Sequence, residues 1–375
     1  MRPKYFFLII TFLISLGVLA ACTIPTEAPP QKVPTALPTE LPTEIQTQTP
    51  VTASPGVDED VITPSNAARL EMLYSFEVPN VNLLKWSQDS KVLETRETGL
   101  DASGNSFAAA RFFQIDTREQ QAFYKVDQPV RLEDLSPDGR SALLINDDGT
   151  RIEWRDLRSD EIRKTIEPGY LINTLSFNGD GSQALVSSAD EFKAELYDLK
   201  SGKKDRELTG FETAAPVYSV LPGADGRTML WVARGTLMTM DLANGSITGR
   251  YGFEDFIMGK AISPDGRWLA VAAAGTIDGD FAPRVYLFDA GTNEQTQVWK
   301  TGSVAADLAF SPDGRLLFGA AGDQIEIWSL EDFAPVASLA CNCERINQLA
   351  ISPDGKKLAF STSEGEVVVC YASKP

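Results

Sequence analysis

The sequence predicts an all-β fold, a seven-bladed β-propeller of four-stranded antiparallel blades, because two columns of residues recur along the chain. The first column is a tight turn, seen most clearly in residues 310–318, where Ser-Pro-Asp-Gly stands between two apolar runs. Proline fixes φ near about −65° and glycine accepts a positive φ. The motif therefore indicates a hairpin turn between two strands.

The turn recurs at a nearly constant interval. Four copies read Ser-Pro-Asp-Gly, with the aspartate and glycine pairs Asp138-Gly139, Asp265-Gly266, Asp313-Gly314 and Asp354-Gly355. Three weaker copies are centred on Asp89, Asp180 and Asp225, and the last of them carries one extra residue. Successive aspartates lie 49, 42, 45, 40, 48 and 41 residues apart. A period of roughly 40–45 residues is expected for one four-stranded propeller blade.

The second column is a large apolar residue followed by a more polar one near the end of each third strand. Its members are Ile115-Asp116, Trp154-Arg155, Tyr197-Asp198, Met240-Asp241, Phe288-Asp289, Trp328-Ser329 and Cys370-Tyr371. We expect its aromatic members to pack between blades. The column follows the turn aspartate by 15–17 residues in five units, and by 26 and 23 residues in units one and five. The longer spacings predict insertions at residues 94–106 and 275–283, which are candidate binding loops on a rigid scaffold.

With these residues, the chain resembles the WD-repeat β-propellers, in which the third strand of each blade ends in a tryptophan-aspartate pair. The Ser-Pro-Asp-Gly turn is similar to that of bacterial relatives, including the TolB-like propellers. The resemblance covers roughly residues 61–375 and implies the same ring architecture. The chain departs from the family in one respect, because it contains no histidine and so lacks the Gly-His dipeptide of WD repeats.

The two ends of the folded region predict how the ring closes. The second half of residues 65–78 alternates like a strand before the first turn, whereas the last unit stops at Pro375, just after its third strand. We therefore expect the N-terminal strand to become the outer strand of the last blade. This arrangement closes the ring and leaves only short, protected sheet edges.

Residues 1–21 have the layout of a secretory signal peptide. Arg2 and Lys4 precede an apolar run that ends at Leu19-Ala20-Ala21-Cys22 and is short for a spanning helix. These last four residues resemble a bacterial lipobox. The resemblance implies that Leu19, Ala20 and Ala21 form the signal-peptidase motif and that Cys22 is lipidated. The alternatives are an ordinary signal peptide with a chance cysteine and an uncleaved anchor helix.

Residues 22–60 form the predicted link between the lipidated cysteine and the propeller, which occupies residues 61–375. Proline and threonine dominate residues 23–56, a composition that favours extended chain without a hydrophobic core. We expect a disordered spacer that holds the propeller away from a membrane. An O-glycosylated stalk is the alternative.

Charge and composition exclude several classes of function. The net charge of −18 and the pI near 4.5 argue against a nucleic-acid partner, which requires a basic surface. The absence of histidine excludes Ser-His-Asp and Cys-His catalysis and histidine metal ligands. Turn geometry accounts for the repeated aspartates, so we predict no catalytic residue, no metal and no cofactor. Oxygen-rich stretches at residues 146–149 and 278–280 leave a bound calcium ion open.

The three cysteines of the folded region have separate interpretations. Cys341 and Cys343 lie in the connection between blades six and seven, where the sequence is equally consistent with a local disulfide and with two free thiols. Cys370 belongs to the second column and is expected to be a small buried hydrophobic residue.

Together these features predict a lipid-anchored protein on the extracytoplasmic face of the cell membrane. Its propeller is expected to act as a non-catalytic, monomeric platform for another protein of the cell envelope. Two other functions stay open. One is a module that binds envelope glycans on exposed aromatic residues, and the other is a hydrolase with an active site of carboxylates alone.

Overall fold

The computed structural model describes residues 59–101, 103–127, 129–189, 193–208, 217–223, 227–233, 236–253, 256–277 and 280–373. The predicted signal peptide, the lipobox with Cys22 and the linker up to residue 58 lie outside these residues. Among the helices of the described residues, none has the length and apolar character needed to cross a membrane.

The described strands form seven antiparallel sheets, six of four strands and one of five. The chain enters the ring through β1 (Glu59–Asp60), a short 3-10 helix (Ala67–Arg69) and β2 (Leu70–Glu77). The strands of blades one to three are β3 (Val81–Trp86), β4 (Val92–Leu100), β5 (Ser106–Gln114), β6 (Glu119–Asp127), β7 (Arg131–Leu135), β8 (Ser141–Ile145), β9 (Ile152–Asp156), β10 (Ile162–Ile166), β11 (Ile172–Phe177), β12 (Gln183–Ser188), β13 (Ala194–Asp198) and β14 (Lys203–Leu208).

The remaining four blades continue in the same order. Their strands are β15 (Val217–Pro222), β16 (Thr228–Ala233), β17 (Thr236–Asp241), β18 (Ser246–Gly252), β19 (Phe256–Ile262), β20 (Trp268–Ile277), β21 (Asp280–Asp289), β22 (Glu294–Lys300), β23 (Ala305–Phe310), β24 (Leu316–Ala321), β25 (Gln324–Ser329), β26 (Pro335–Ala340), β27 (Ile346–Ile351), β28 (Lys357–Thr362) and β29 (Glu366–Ser373). The structure thus confirms the predicted all-β, seven-bladed propeller of four-stranded antiparallel blades.

The hydrophobic core lies between the blades. First strands of neighbouring blades contact one another, for example β7 with β11 and β23 with β27, and so surround the axis of the ring. Seven clusters of buried apolar residues fill the seven blade interfaces of the described chain. The second strands β8, β24 and β28 are buried at every position. The continuous apolar runs of β8 and β24 predict this burial, whereas β28 also buries Lys357.

The Ser-Pro-Asp-Gly turn joins first and second strands, and its geometry explains the motif. In blade six, Ser311 Oγ accepts a hydrogen bond from Leu316 N at 2.9 Å and donates one to Asp313 Oδ1 at 2.6 Å. Asp313 Oδ1 also accepts Arg315 N at 3.1 Å, and Gly314 has a φ of 70°. Serine, aspartate and glycine therefore each stabilise the reversal of the chain.

Two weaker copies form the same turn with other residues. In blade one, Ser90 takes the glycine position with a φ of 60°, and its Oγ accepts Asp354 N of blade seven at 3.0 Å. In blade three, Asn178 replaces the serine, and its Oδ1 accepts Gln183 N at 2.9 Å. A side chain that can accept the same backbone bond is sufficient for this turn.

The blade-four copy corrects one prediction. Gly223 N donates to Thr228 O at 2.7 Å, which is the bond that the serine position makes in the other blades. Pro222 is therefore the last residue of β15 and not an inserted turn residue. The predicted extra residue is wrong, although residues 224–226 of this turn lie outside the described residues.

Strand pairing defines the second column more accurately than sequence spacing. In five blades the predicted residue pairs with the sixth residue after the first position of the turn, as Trp328 pairs with Leu317 in blade six. Its side chain packs in the cluster shared with blade five, the preceding blade. The column therefore marks residues that fill the interface with the preceding blade.

The column was assigned incorrectly in two blades. The residue at this register position is Phe113 in blade one and Arg155 in blade two. The predictions of Ile115 and Trp154 are therefore wrong by two residues and by one. A slip of one residue turns a side chain to the opposite face of its sheet, and Trp154 accordingly packs against blade three.

The N-terminal strand closes the ring, as predicted. β2 pairs antiparallel with β29 along seven residue pairs that begin at Leu70 and Ala372. Ala372 also pairs with Asp60 of β1, so β1 and β2 lie on opposite edges of β29. Residues 59–77, which we call the closing segment, therefore pair with both edges of the last strand.

Contacts of Glu59 and Ile62 with blade seven anchor the closing segment. Ile62 is 2% exposed and belongs to the cluster between blades six and seven. Ile62 N donates to Gly355 O in the blade-seven turn at 2.8 Å, and Lys357 Nζ forms an ion pair with Glu59. Apolar burial and polar contacts thus hold this segment to blade seven.

We expect Ile62→Ala to lower the free energy of unfolding by about 2–4 kcal/mol, because truncating a buried side chain leaves a cavity. Val61→Ala is the matched control, since Val61 is 38% exposed. The control should cost less than about 1 kcal/mol. Urea denaturation followed by tryptophan fluorescence measures both values. Equal losses in the two variants would show that the packing of Ile62 does not stabilise the closed ring.

Candidate functional site

Antiparallel topology divides the loops between two faces of the ring. The turns that follow first and third strands lie on one face, which we call the turn face. The turns between second and third strands lie on the opposite face with the connections between blades, and we call this the hairpin face. The insertions predicted in blades one and five belong to the hairpin face.

The two insertions lengthen strands and do not form long loops. β4 and β5 have nine residues each, and β20 and β21 have ten each, compared with five in β8 and β9. In blade one the pairing continues without a break from Val92 and Gln114 to Leu100 and Ser106. The expectation of binding loops is therefore wrong for most inserted residues, because cross-strand pairing extends both hairpins beyond their neighbours.

A cleft of about 500 Å³ opens beside the blade-one hairpin. It is lined by Asn80, Thr98, Gly99, Leu100, Ser106, Phe107 and Pro129. The Phe107 ring packs over Gly99, where an added Cβ would lie 2.9 Å from the ring. Leu100 is 69% exposed at the rim. Since every lining side chain is uncharged, the cleft suits an uncharged group on a partner.

Apolar side chains are exposed at two further points on the hairpin face. Leu171, in the connection to blade three, is 43% exposed, and Met258 in β19 is 54% exposed. Single exposed apolar residues are common on protein surfaces. With Leu100, however, these residues lie in three blades of the same face, which gives a partner apolar contacts at separate points around the ring.

The predicted turn residues are structural and lie on the turn face. Each turn aspartate accepts the hydroxyl of the serine two residues earlier at 2.5–2.6 Å, in Asp138, Asp265, Asp313 and Asp354. Each turn glycine has a φ between 65° and 73°, in Gly139, Gly266, Gly314 and Gly355. These pairs belong to blades two, five, six and seven, and each serves its own turn.

The cysteines lie in or beside the interface of blades six and seven. Cys341 and Cys343 are joined by a disulfide, with Cα atoms 5.3 Å apart. Cys370 is half-buried against the same cluster, and burial raises the pKa of its thiol to about 12. A thiol that stays protonated in a packed interface serves as an apolar side chain.

The first oxygen-rich stretch, residues 146–149, forms the turn between β8 and β9. Asp148 Oδ1 accepts Asn146 Nδ2 at 2.7 Å and Thr150 N at 2.9 Å, which are bonds within the turn. In the second stretch, Asp278 and Gly279 lie outside the described residues. Across the described chain, no three acidic or cysteine side chains are grouped suitably for a metal ion.

Charged side chains that the sequence analysis missed join the first strands of neighbouring blades. Lys85 Nζ in blade one donates to Leu135 O in blade two at 2.6 Å. Asp134 Oδ2 in blade two and Asp307 Oδ2 in blade six each accept a backbone N–H from the next blade at 2.9 Å. Burial raises the pKa of Asp307 to about 6. Polar contacts between adjacent inner strands therefore supplement the apolar clusters.

Glu94 of β4 is a buried acid between blades one and two. It is 2% exposed, and a Cβ on Gly139 of the blade-two turn would lie 2.4 Å from its Oε1. In the described chain its Oε2 has no hydrogen-bond partner. Burial raises the pKa of the Glu94 carboxyl to about 7, and the positive charge of Lys85 opposes this rise. The carboxylates of Asp134 and Asp138 add to it.

The other six blades carry an apolar residue at the position of Glu94. It is the seventh residue after the first position of the turn, where the other blades have Leu143, Leu185, Leu230, Ala270, Phe318 and Ala359. Leu185 is 1% exposed, and the other five are fully buried at 0%. An alignment of the repeats on their turns identifies Glu94 from sequence alone.

Comparisons with known proteins indicate the same kind of repeat. The chain is 27% identical over 188 residues to an uncharacterized WD repeat-containing protein of Synechocystis sp., a match that covers 49% of this chain and 51% of the relative. It is 23% identical over 232 residues to the periodic tryptophan protein 2 homolog of Dictyostelium discoideum, covering 59% of this chain and 24% of the relative.

A third similarity extends over a comparable stretch. The chain is 23% identical over 204 residues to the U3 small nucleolar RNA-associated protein 15 homolog of Xenopus tropicalis, covering 52% of this chain and 36% of the relative. The chain thus spans about half or less of the length of these relatives. No family model matches the chain.

The seven-bladed ring and these similarities support one assignment. The chain is a seven-bladed β-propeller whose repeats are similar to those of WD-repeat proteins. In this propeller the turn aspartates and the inner-strand charges bond within turns or between blades. The uncharged cleft on the hairpin face is therefore the arrangement best suited to binding.

Gly139→Ala should destabilise this propeller more than Gly314→Ala. Both glycines have a positive φ, 65° and 70°. An alanine in this conformation costs about 1–2 kcal/mol. At Gly139 the added Cβ would also lie 2.4 Å from Glu94 Oε1, whereas at Gly314 nothing lies within 4 Å. Thermal denaturation compares the two variants, and equal midpoints would contradict the close contact between Glu94 and the blade-two turn.

Proposed function

We propose that this chain is an extracytoplasmic bacterial lipoprotein whose WD-repeat propeller binds another envelope protein through its hairpin face, as a monomer and without catalysis. One observation carries the proposal. The closing segment begins at Glu59 on the turn face, opposite the face that carries the long hairpins. The lipobox at Leu19–Cys22 and the TolB-like turns support the bacterial lipoprotein assignment.

The entry point follows from strand direction. β29 is a third strand, so it runs from the hairpin face to the turn face, and Glu59 pairs with Ser373 at its end. Ile62 N bonds to Gly355 O, which lies in a turn of the same face. In the proposed lipoprotein, a lipid on Cys22 is joined to the ring through the chain that precedes Glu59, and Glu59 lies at the turn face.

The hairpin face has the properties expected of a protein-binding surface. It carries the uncharged cleft and the exposed side chains of Leu100, Leu171 and Met258. WD-repeat propellers typically bind protein partners. The name of the Xenopus relative refers to a small nucleolar RNA, but a net charge of −18 disfavours binding to a phosphate backbone.

Glycan binding is the second candidate, and the composition of the cleft favours it. The Phe107 ring lies beside the hydroxyl-bearing side chains of Thr98 and Ser106 and the amide of Asn80. Sugars combine hydroxyl groups with apolar ring faces, which such a cleft accommodates.

Anchoring is tested by Cys22→Ser. We expect the variant to leave the membrane fraction and to lack the mass of the lipid, because the thiol is the site of lipidation. Cell fractionation and mass spectrometry measure the two effects. Unchanged membrane partitioning together with an unlipidated wild-type chain would refute the lipoprotein assignment.

The binding face is tested by photo-crosslinking in intact cells. A photoreactive amino acid is placed at Leu100 or at Leu171 on the hairpin face. In the matched controls the same amino acid replaces Arg267 or Arg315 on the turn face, whose side chains are both 62% exposed. We expect protein adducts from the hairpin-face positions only.

Other outcomes of this experiment separate the alternatives. Adducts mainly from the turn face would overturn the assignment of the face. A complete absence of protein adducts in cells that hold the anchored, folded chain would overturn protein binding. Binding of neutral oligosaccharides by the wild type and its loss in Thr98→Val would then favour the glycan candidate.

A further inference from the structure

Glu94 lies at the base of the strand that leads to the cleft. β4 begins at Val92 near the turn face and ends at Leu100 on the hairpin face. The same strand thus carries the buried carboxyl near one end and Thr98, Gly99 and Leu100 of the cleft at the other. Glu94 and these cleft residues therefore lie on a single paired strand.

The charged groups that act on Glu94 come from two strands and one turn. β3 presents the ammonium of Lys85, β7 presents the carboxylate of Asp134, and the turn after β7 presents that of Asp138. The neighbouring residue on β5 is Phe112, which pairs with Glu94 and carries no charge. Lys85 is therefore the cation that acts on the Glu94 carboxyl from these elements.

Lys85 has two alternative partners. Its Nζ donates to Leu135 O at 2.6 Å, a bond that links the first strands of blades one and two. Its charge is also attracted to Glu94 when that carboxyl is ionised. Both groups act on the same ammonium, so its position depends on whether Glu94 is charged.

We propose that Glu94 and Lys85 form a proton-controlled joint between blades one and two, which is tight when Glu94 is protonated and loose when it is ionised. The consequence for binding at the cleft rests on the proposed function, whereas the joint itself belongs to the isolated chain. This device acts on one of the seven interfaces, because the other blades have an apolar residue at this position.

The two states follow from the cost of burying charge. A protonated Glu94 is neutral and fits among the apolar groups of the interface, and Lys85 keeps its bond to Leu135 O. When Glu94 releases its proton to solvent, an unpaired carboxylate remains in the interface, which is unfavourable. It draws Lys85 Nζ away from Leu135 O, and blades one and two lose a bond at the inner strands.

The direction of the pH effect is fixed by the pKa of Glu94. Burial raises this pKa to about 7 from an ordinary value of 4.5, so the folded chain holds the proton more tightly than the unfolded chain. The resulting stabilisation is complete below about pH 4.5 and is lost as the pH rises through about 7. Asp307 acts in the same direction at another interface, with a pKa of about 6.

The first test compares thermal unfolding of the full chain and of Glu94→Gln at about pH 5.5 and about pH 8.5. The wild type should lose several degrees more than the variant, since glutamine stays neutral at both pH values. Glu94→Leu, the residue of three other blades, should behave like Glu94→Gln. Contributions from Asp307 and other acids are common to all three proteins and cancel.

The second test locates the response by hydrogen exchange of the wild type, corrected for intrinsic exchange rates. Raising the pH should increase exchange severalfold in β4, β5 and β7, with β16 and β17 of blade four as the internal control. In the Lys85→Met variant the backbone amides of β7 should exchange rapidly at both pH values, because methionine cannot donate a hydrogen bond to Leu135 O. No pH response in blades one and two of the wild type, or the same response in Glu94→Gln, would overturn the proposal.

These measurements need no partner. A pH-dependent joint together with failed crosslinking at the hairpin face would retain the joint and reject the proposed function. Crosslinking without a pH response would do the reverse.

Discussion

Every blade of this propeller depends on the burial of its second strand between two neighbours. β8, β24 and β28 have no exposed position, and except for Lys357 of β28 their residues are apolar or small. A separated blade would expose both faces of such a strand to water, so the blades are stable only as a ring. Stability of the whole molecule is thus concentrated in interfaces, and the ring must close for the last interface to exist.

Closure therefore determines the stability of all the blades. The two ends of the described ring meet at β29, whose outer edge is occupied by β2 and whose inner edge is shared by β28 and β1. Opening at this point would separate Ile62 from the cluster of blades six and seven and Phe76 from Phe113 of blade one, whose ring lies 4.0 Å away. The closing segment is consequently part of two interfaces and more than a terminal strand.

Repetition made the fold predictable, and the same repetition shows why the site was only partly predictable. The turn depends on local bonds, such as those of Ser311 and Asp313, so sequence alone identified seven blades. Register depends on pairing between strands, and Trp154 was assigned to the wrong face because a slip of one residue leaves the local pattern unchanged. Composition suggested a loop around residues 94–106, where cross-strand bonds instead extend β4 and β5. Lys85 and Asp307 were missed because their partners are backbone groups of other blades.

The buried acid is informative because it departs from the rule that the other blades follow. The second strand of blade one also buries Glu97, which pairs with Arg111 at 2.7 Å, whereas Glu94 has no such cation at bonding distance among the described residues. A local violation that lacks compensation is expected at a functional or switching element. On the proposal made above, ionisation of Glu94 loosens the interface at the start of β4, the strand that also carries Thr98, Gly99 and Leu100 of the cleft.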